Sequence, residues 1–308
     1  MDFFSQVVRD FSALPCMESW DKAQAMFQQA ASKKPGHWFI PVRACEAIGG
    51  FPEQAVPAML AVGCAHVGIL LVDDMLDDDP RGEYHHSGMP AASNMACAFQ
   101  AAALHSIAQC TKDALSRLAA LNSFNEMFLF TAFGQFLDVQ PLWNESVYWQ
   151  VVKAKSSPFF GAALQVGALA GGGTLEIATQ LKQLGYLYGE MIQIHDDMHD
   201  SMEIPANPDW LQGRSSLPIL FASLVNHPEQ AHFIELKERI NEPRVLEEAQ
   251  EILIHCGAIS YCADQLIEKH DEARKILDSI PLADPKPISA LIDEVITPVH
   301  KLLENHDI

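Results

Sequence analysis

The chain has 308 residues and a formal net charge of −20, from 20 basic and 40 acidic side chains. Such an acidic balance repels nucleic-acid phosphates and anionic membrane headgroups, while a 49 % hydrophobic content supplies enough apolar side chain for a deep core. The seven cysteines are odd in number, scattered and without zinc spacing, and Met1-Asp2-Phe3-Phe4 lacks a basic-then-apolar signal pattern, so a cytoplasmic protein with reduced thiols is expected.

Helix-like apolar spacing marks residues 3–13 and 20–31, the second with Ser19 or Asp21 as candidate cap. Pro35-Gly36 breaks the chain, and the next helix stops at Gly49-Gly50. Further helices are predicted at about 53–77, 91–113, 115–139, 145–170, 174–201, 208–226, 243–275 and 286–304. Alternating period-two runs are nearly absent, and no fixed-period repeat or linker-like stretch occurs. The expectation is an all-α protein, a single helical-bundle domain over residues 1–308 around an apolar cavity. Ala55 to Val72 is about long enough to span a bilayer, but Pro57, His66 and the acids that follow favour a buried core helix over membrane insertion.

That apolar run ends in Asp73-Asp74-Met75-Leu76-Asp77-Asp78-Asp79. In a helix Asp73 and Asp77 share a face with Asp74 beside them, and like charges at that spacing call for a divalent cation. A second cluster, Gln193-Ile194-His195-Asp196-Asp197-Met198-His199-Asp200, repeats the pattern at the end of another apolar helix. One acidic helix end alone is more often simply solvated. Two matching ones point to metal held by carboxylates and waters, with His195 and His199 outside the ligand set or at the surface.

These residues resemble those of the trans-isoprenyl diphosphate synthases, the polyprenyl synthetase family, from about Gly36 to Pro218. Asp73-Asp74-Met75-Leu76-Asp77 and Asp196-Asp197-Met198-His199-Asp200 look like the two Asp-rich motifs. Glu46-Ala47-Ile48-Gly49-Gly50 is similar to the Glu-Ala-x-Gly-Gly helix end, and His66 falls where the family has its acceptor-site histidine. Gly134-Gln135-Phe136-Leu137-Asp138, Lys155-Ser156 and Gly213-Arg214-Ser215-Ser216-Leu217-Pro218 match the remaining motifs in order.

The resemblance implies the isoprenoid synthase fold and an enzyme that ionises an allylic prenyl diphosphate. It implies about three Mg²⁺ ions held by Asp73, Asp74, Asp77, Asp196, Asp197 and Asp200. Lys155, Arg214 and Arg81 would grip the diphosphate, with Gln135 and Gln193 as polar helpers. Phe159 and Phe160 would face the allyl cation or pack in the core. Ile69 and Gly68, four and five residues before the first motif, leave the chain cavity unplugged, which implies about fifteen to twenty-five carbons in the substrate. A homodimer is the family's common state, for which the apolar helices at 91–113 and 115–139 are the candidate interface.

The sequence departs from the family where the acceptor, isopentenyl diphosphate, is bound. In place of Gly-Lys-Arg-x-Arg-Pro it has Gly36-His37-Trp38-Phe39-Ile40-Pro41, and Arg-Arg-Gly shrinks to Pro80-Arg81-Gly82. The expectation is therefore an ionising enzyme that forms a terpene or transfers to a non-diphosphate acceptor held by His37, Trp38 and His66. The alternatives are an ordinary elongating synthase whose clamp is rebuilt from Lys33, Lys34 or Arg43, and a non-catalytic partner subunit.

Overall fold

The computed structural model describes residues 2–140, 144–211 and 216–304, and every regular element among them is helical. In chain order these are α1 (Phe3–Ser12), α2 (Asp21–Ser32), α3 (Ile40–Ile48), α4 (Val56–Leu76), α5 (Tyr84–Ser87), α6 (Met89–Ile107), α7 (Ala114–Asp138) and α8 (Glu145–Lys155). They continue as α9 (Ser157–Ala170), α10 (Leu175–Ser201), α11 (Pro208–Leu211), α12 (Leu217–Leu224), α13 (Gln230–Lys237), α14 (Pro243–His255), α15 (Ala258–Ser279) and α16 (Lys286–Glu304).

The all-α expectation holds, with differences at breaks that hydrophobic spacing does not record. The stretch 145–170 is two helices, because Pro158 opens a new helix just after Ser156. The stretch 243–275 divides at Gly257, whose φ of +84° ends α14 in the left-handed conformation. Gly49 stops α3 as expected, with φ +92°. Neither predicted cap of α2 is used: Trp20 occupies the N-cap, Asp21 is the first helical residue, and the Ser19 hydroxyl donates to the Cys16 carbonyl.

The chain falls into two compact units. The first comprises Met1–Ala132, Pro158–Tyr186 and Ile276–Ala290, and the second Phe133–Ser157, Leu187–Lys275 and Leu291–Ile308. In the first, α4 is apolar on all sides and correspondingly buried; 72 % of its most apolar window lies inside the protein, as in a core helix. Gly68, expected to line the chain cavity, instead meets α6: a Cβ there would lie 3.3 Å from both the Ala96 carbonyl oxygen and Phe99 Cβ. Its missing side chain permits close helix packing. The core of the second unit gathers Trp210, Ile219, Phe233, Leu246, Ile252 and Leu253 from α11 to α14.

Candidate active site

In the first unit, Asp73 and Asp74 lie in the last turn of α4 and Asp77 is its C-cap. Carboxylates at the negative end of a helix dipole destabilise one another and the helix. Burial first, then Asp79 and Asp73, push the Asp74 carboxyl up to about 6. A hard divalent cation would relieve this crowding, so an all-oxygen donor set such as this one fits Mg²⁺. The acids that follow are braced from within the turn. Tyr84 Oη donates to Asp78 Oδ1 at 2.7 Å, and Arg81 donates to Asp79 through Nε at 3.1 Å and Nη2 at 2.7 Å.

Also in the first unit, His37, His66 and Phe159 come together. The His37 and His66 rings are 4.3 Å apart, and Phe159 lies 5.7 Å from the first and 6.3 Å from the second. Trp38 Nε1 donates to His66 Nδ1 at 3.1 Å. Burial, followed by the charges of His37 and Lys33, pulls His66 down to about 3, so the ring is neutral. The expectation that Trp38 helps to hold an acceptor is corrected: the indole is fully enclosed, stacked at 5.1 Å on Phe27. Phe160 meets Phe159 edge-on at 5.4 Å, and Ile69 is half-buried on α4.

Beside Asp74 lies a cleft of about 300 Å³, walled by α2, α4 and the Arg81–His86 segment. Gln29, Lys33, Arg81 and His86 line it with Asp74 and Glu83, and Glu83 is already paired with Lys22 at 2.8 Å. Sequence spacing named Lys33 only as a possible substitute cation. Gln29 and His86 were missed, since nothing in the sequence joins the end of α2 to α5.

In the second unit, Asp196, Asp197 and Asp200 end α10. Asp197 is only 3 % exposed, and three donors converge on it: Tyr148 Oη at 2.8 Å, Gln193 Nε2 at 2.7 Å and the Leu217 backbone N–H at 2.7 Å. The metal-ligand expectation for Asp197 is corrected accordingly. Its carboxylate is turned into the protein, where it caps the first turn of α12 in place of Ser216, whose side chain makes no cap bond. Burial and the Asp197 charge hold the Tyr148 phenol well above its usual range.

Gln193 also accepts from the Ser156 hydroxyl at 2.6 Å, so its amide is a strut and not a loose helper. Lys155 pairs with Asp138 at 2.6 Å, and Gly134 makes this register possible: a Cβ there would sit 2.2 Å from the Lys155 backbone nitrogen. Gln135 is buried on the same turn of α7. Arg214 lies outside the described residues.

Asp196 is exposed and 3.4 Å from His195, which this contact raises above its ordinary value. Asp200, His199 and Glu203 bring one donor atom each within 4.8 Å of one another, and His199 is exposed. Tyr148 was missed, although it precedes Lys155 by seven residues and shares its face of α8.

The family model for Polyprenyl synthetase matches residues 39–253. The chain belongs to the polyprenyl synthetase family. It is an enzyme of the class I prenyl-diphosphate type. The family includes similar curated proteins, among them a short chain isoprenyl diphosphate synthase of Methanothermobacter thermautotrophicus, 26 % identical over 270 residues and 82 % of each chain. A geranylgeranyl diphosphate synthase of Methanosarcina mazei is 26 % identical over 260 residues, 78 % of this chain and 77 % of that one. The fold is that of solved synthases such as the geranylgeranyl pyrophosphate synthetase of Pyrococcus horikoshii. That structure has a TM-score of 0.82 at 18 % identity, over 96 % of this chain and 98 % of that one.

Proposed function

We propose that the protein is a chain-elongating prenyl diphosphate synthase, joining isopentenyl diphosphate to an allylic prenyl diphosphate to give a product in the geranylgeranyl range. The observation that carries this reading is the polar cleft beside Asp74, where Lys33, together with Arg81 once it leaves Asp79, would replace the cations missing from His37 to Ile40. Diphosphate affinity comes mainly from charge-assisted hydrogen bonds, which Lys33 and Arg81 provide. Relatives named for isoprenyl and geranylgeranyl diphosphate synthesis support the same reading.

On this reading Asp73, Asp74 and Asp77 in the first unit, and Asp196 and Asp200 in the second, hold Mg²⁺. When bound, the metal neutralises charge on the departing pyrophosphate. Lys155 leaves Asp138 to grip the same group, with Arg214 as a further cation. The C–O bond breaks with its electron pair on pyrophosphate, Phe159 and Phe160 keep water from the allyl cation while the acceptor alkene attacks it, and the new cation loses a proton to the released pyrophosphate to leave the product double bond. Exposed Leu115, Leu118, Leu129 and Phe130 on α7 favour a homodimer, and the free cysteines a cytoplasmic setting.

The replaced cations at His37–Ile40 favour a second reading, ionisation followed by terpene formation or transfer to an acceptor without diphosphate. Enclosure of Trp38 removes one of the three residues it called for. The two separate on incubation with Mg²⁺, farnesyl diphosphate and labelled isopentenyl diphosphate. Label in a longer prenyl diphosphate supports elongation, and pyrophosphate release with an unlabelled hydrocarbon or alcohol supports the second reading.

A further inference from the structure

In the second unit, α10 ends with Asp196, Asp197 and Asp200 at the negative end of its dipole, where carboxylates weaken a helix. The chain continues as Met202-Glu203-Ile204-Pro205, without the left-handed glycine that stops α3 and α14. The four terminal carbonyls are nevertheless all answered. The Ser201 hydroxyl donates to the Met198 carbonyl at 3.0 Å, and the backbone N–H groups of Met202 and Glu203 donate to His199 at 3.0 Å and Asp200 at 3.3 Å. The carbonyl of Ser201, a residue 1 % exposed, is reached by two side chains from later in the chain. Trp210 Nε1 on α11 donates to it at 3.0 Å and Gln250 Nε2 on α14 at 3.2 Å. The same Gln250 nitrogen donates to the Glu203 carbonyl at 3.0 Å. Gln250 is 5 % exposed, on the face of α14 that carries Leu246, Ala249 and Leu253 into the core. Helix periodicity calls for an apolar residue there, and the two carbonyls it bridges explain the amide.

We infer that Gln250, with Trp210 beside it, is a positioning residue for the second Asp-rich motif, holding Asp196 and Asp200 in the geometry that binds a divalent metal. This rests on the reading above that those two carboxylates hold Mg²⁺. Residues four apart share a helix face, so Asp196 and Asp200 can chelate one site only while the turn between them stays helical. Carboxylate repulsion at the end of the dipole works to unwind that turn. Two ties oppose it. Tyr148, Gln193 and the Leu217 N–H hold Asp197, and Gln250 and Trp210 hold Ser201. Asp200 lies between the two ties and directly precedes Ser201, so its carboxylate moves with the carbonyl that Gln250 fixes. Without the Gln250 donor the last turn loosens and Asp200 leaves the face it shares with Asp196. A group that orients a metal ligand without touching the metal is commonly worth tenfold or more in metal affinity.

The test is binding of Mn²⁺ to the full chain in the presence of inorganic pyrophosphate, read from the paramagnetic resonance signal of the free ion. Gln250→Met keeps the volume and removes one donor, and Trp210→Phe keeps a ring against Phe233 and removes the other. Each should weaken Mn²⁺ binding about tenfold or more and raise the Mg²⁺ concentration for half-maximal turnover by a similar factor. KM for isopentenyl diphosphate should not change. Ile252→Val trims the same core without removing a hydrogen bond, and should lower the melting temperature while binding Mn²⁺ as wild type does. Metal binding weakened as much in Ile252→Val as in Gln250→Met would overturn the inference, because the effect would then follow stability alone. Asp200→Asn separates this inference from the reading beneath it. If Asp200→Asn binds Mn²⁺ as wild type does, the metal assignment fails and the inference with it. If Asp200→Asn weakens binding while Gln250→Met and Trp210→Phe match wild type, the inference alone is overturned.

Discussion

Trp38 Nε1 donates to His66 Nδ1 across 3.1 Å. The indole N–H is a donor only, so the imidazole nitrogen facing it carries no proton and the ring is neutral. Lys33, His37 and Phe159 face the same ring and do nothing to favour its charged form. With His66 at about 3 in the folded chain against 6.5 in the unfolded one, the unfolded state binds the extra proton between those values. Stability from this group is therefore intact above about pH 6.5 and falls as pH drops toward 3. Between about pH 7 and 5 wild type should lose at most about 2 kcal/mol more than His66→Gln, which keeps an acceptor for Trp38. Urea unfolding at both pH values checks this, and equal losses would contradict it.

Lys33 and Arg81 are assigned to the acceptor diphosphate. Lys33→Ala and Arg81→Ala should each raise KM for isopentenyl diphosphate about tenfold to a hundredfold, as expected for a lost charge-assisted bond. KM for the allylic substrate should move far less in Lys33→Ala. Steady-state kinetics with each substrate varied in turn gives the split, and an effect confined to the allylic substrate would remove Lys33 from the acceptor site.

Asp196 and Asp197 are neighbours with opposite expected phenotypes. Tyr148→Phe removes one donor from a buried carboxylate and should cost about 1–3 kcal/mol of stability, and Asp197→Asn should behave similarly. Asp196→Asn changes an exposed side chain and should leave stability within about 0.5 kcal/mol while abolishing turnover. Paired unfolding and activity measurements test this contrast. A stability loss at Asp196 together with a neutral Asp197 variant would reverse the assignment.

Gly134 lets α7 approach the end of α8. Gly134→Ala should destabilise by about 1–3 kcal/mol through overpacking and raise KM for the allylic substrate by displacing Lys155. Full activity and an unchanged melting temperature would show that the backbone adjusts without moving Lys155.

Much of this arrangement was legible in the sequence, because helix ends, acidic clusters and motif order are local properties. Asp73 to Asp77 and Asp196 to Asp200 fall at helix ends as the spacing requires. What spacing does not encode is the direction of a side chain fixed by partners far along the chain. Asp197 reads like Asp196 until Tyr148 and Leu217 are seen to hold it, and Gly68 reads as cavity wall until α6 is seen against it. Trp38 looked like a surface for an acceptor because nothing in Gly36-His37-Trp38-Phe39 records the Phe27 ring that covers it. The cleft beside Asp74 was hidden for the same reason, as Lys33 and Arg81 are 48 positions apart.

Chain elongation is tested directly by incorporation of labelled isopentenyl diphosphate in the presence of Mg²⁺ and an allylic prenyl diphosphate. The label is expected in a prenyl diphosphate longer than the substrate, with the yield cut by Lys33→Ala. Pyrophosphate release without incorporation of label would contradict it.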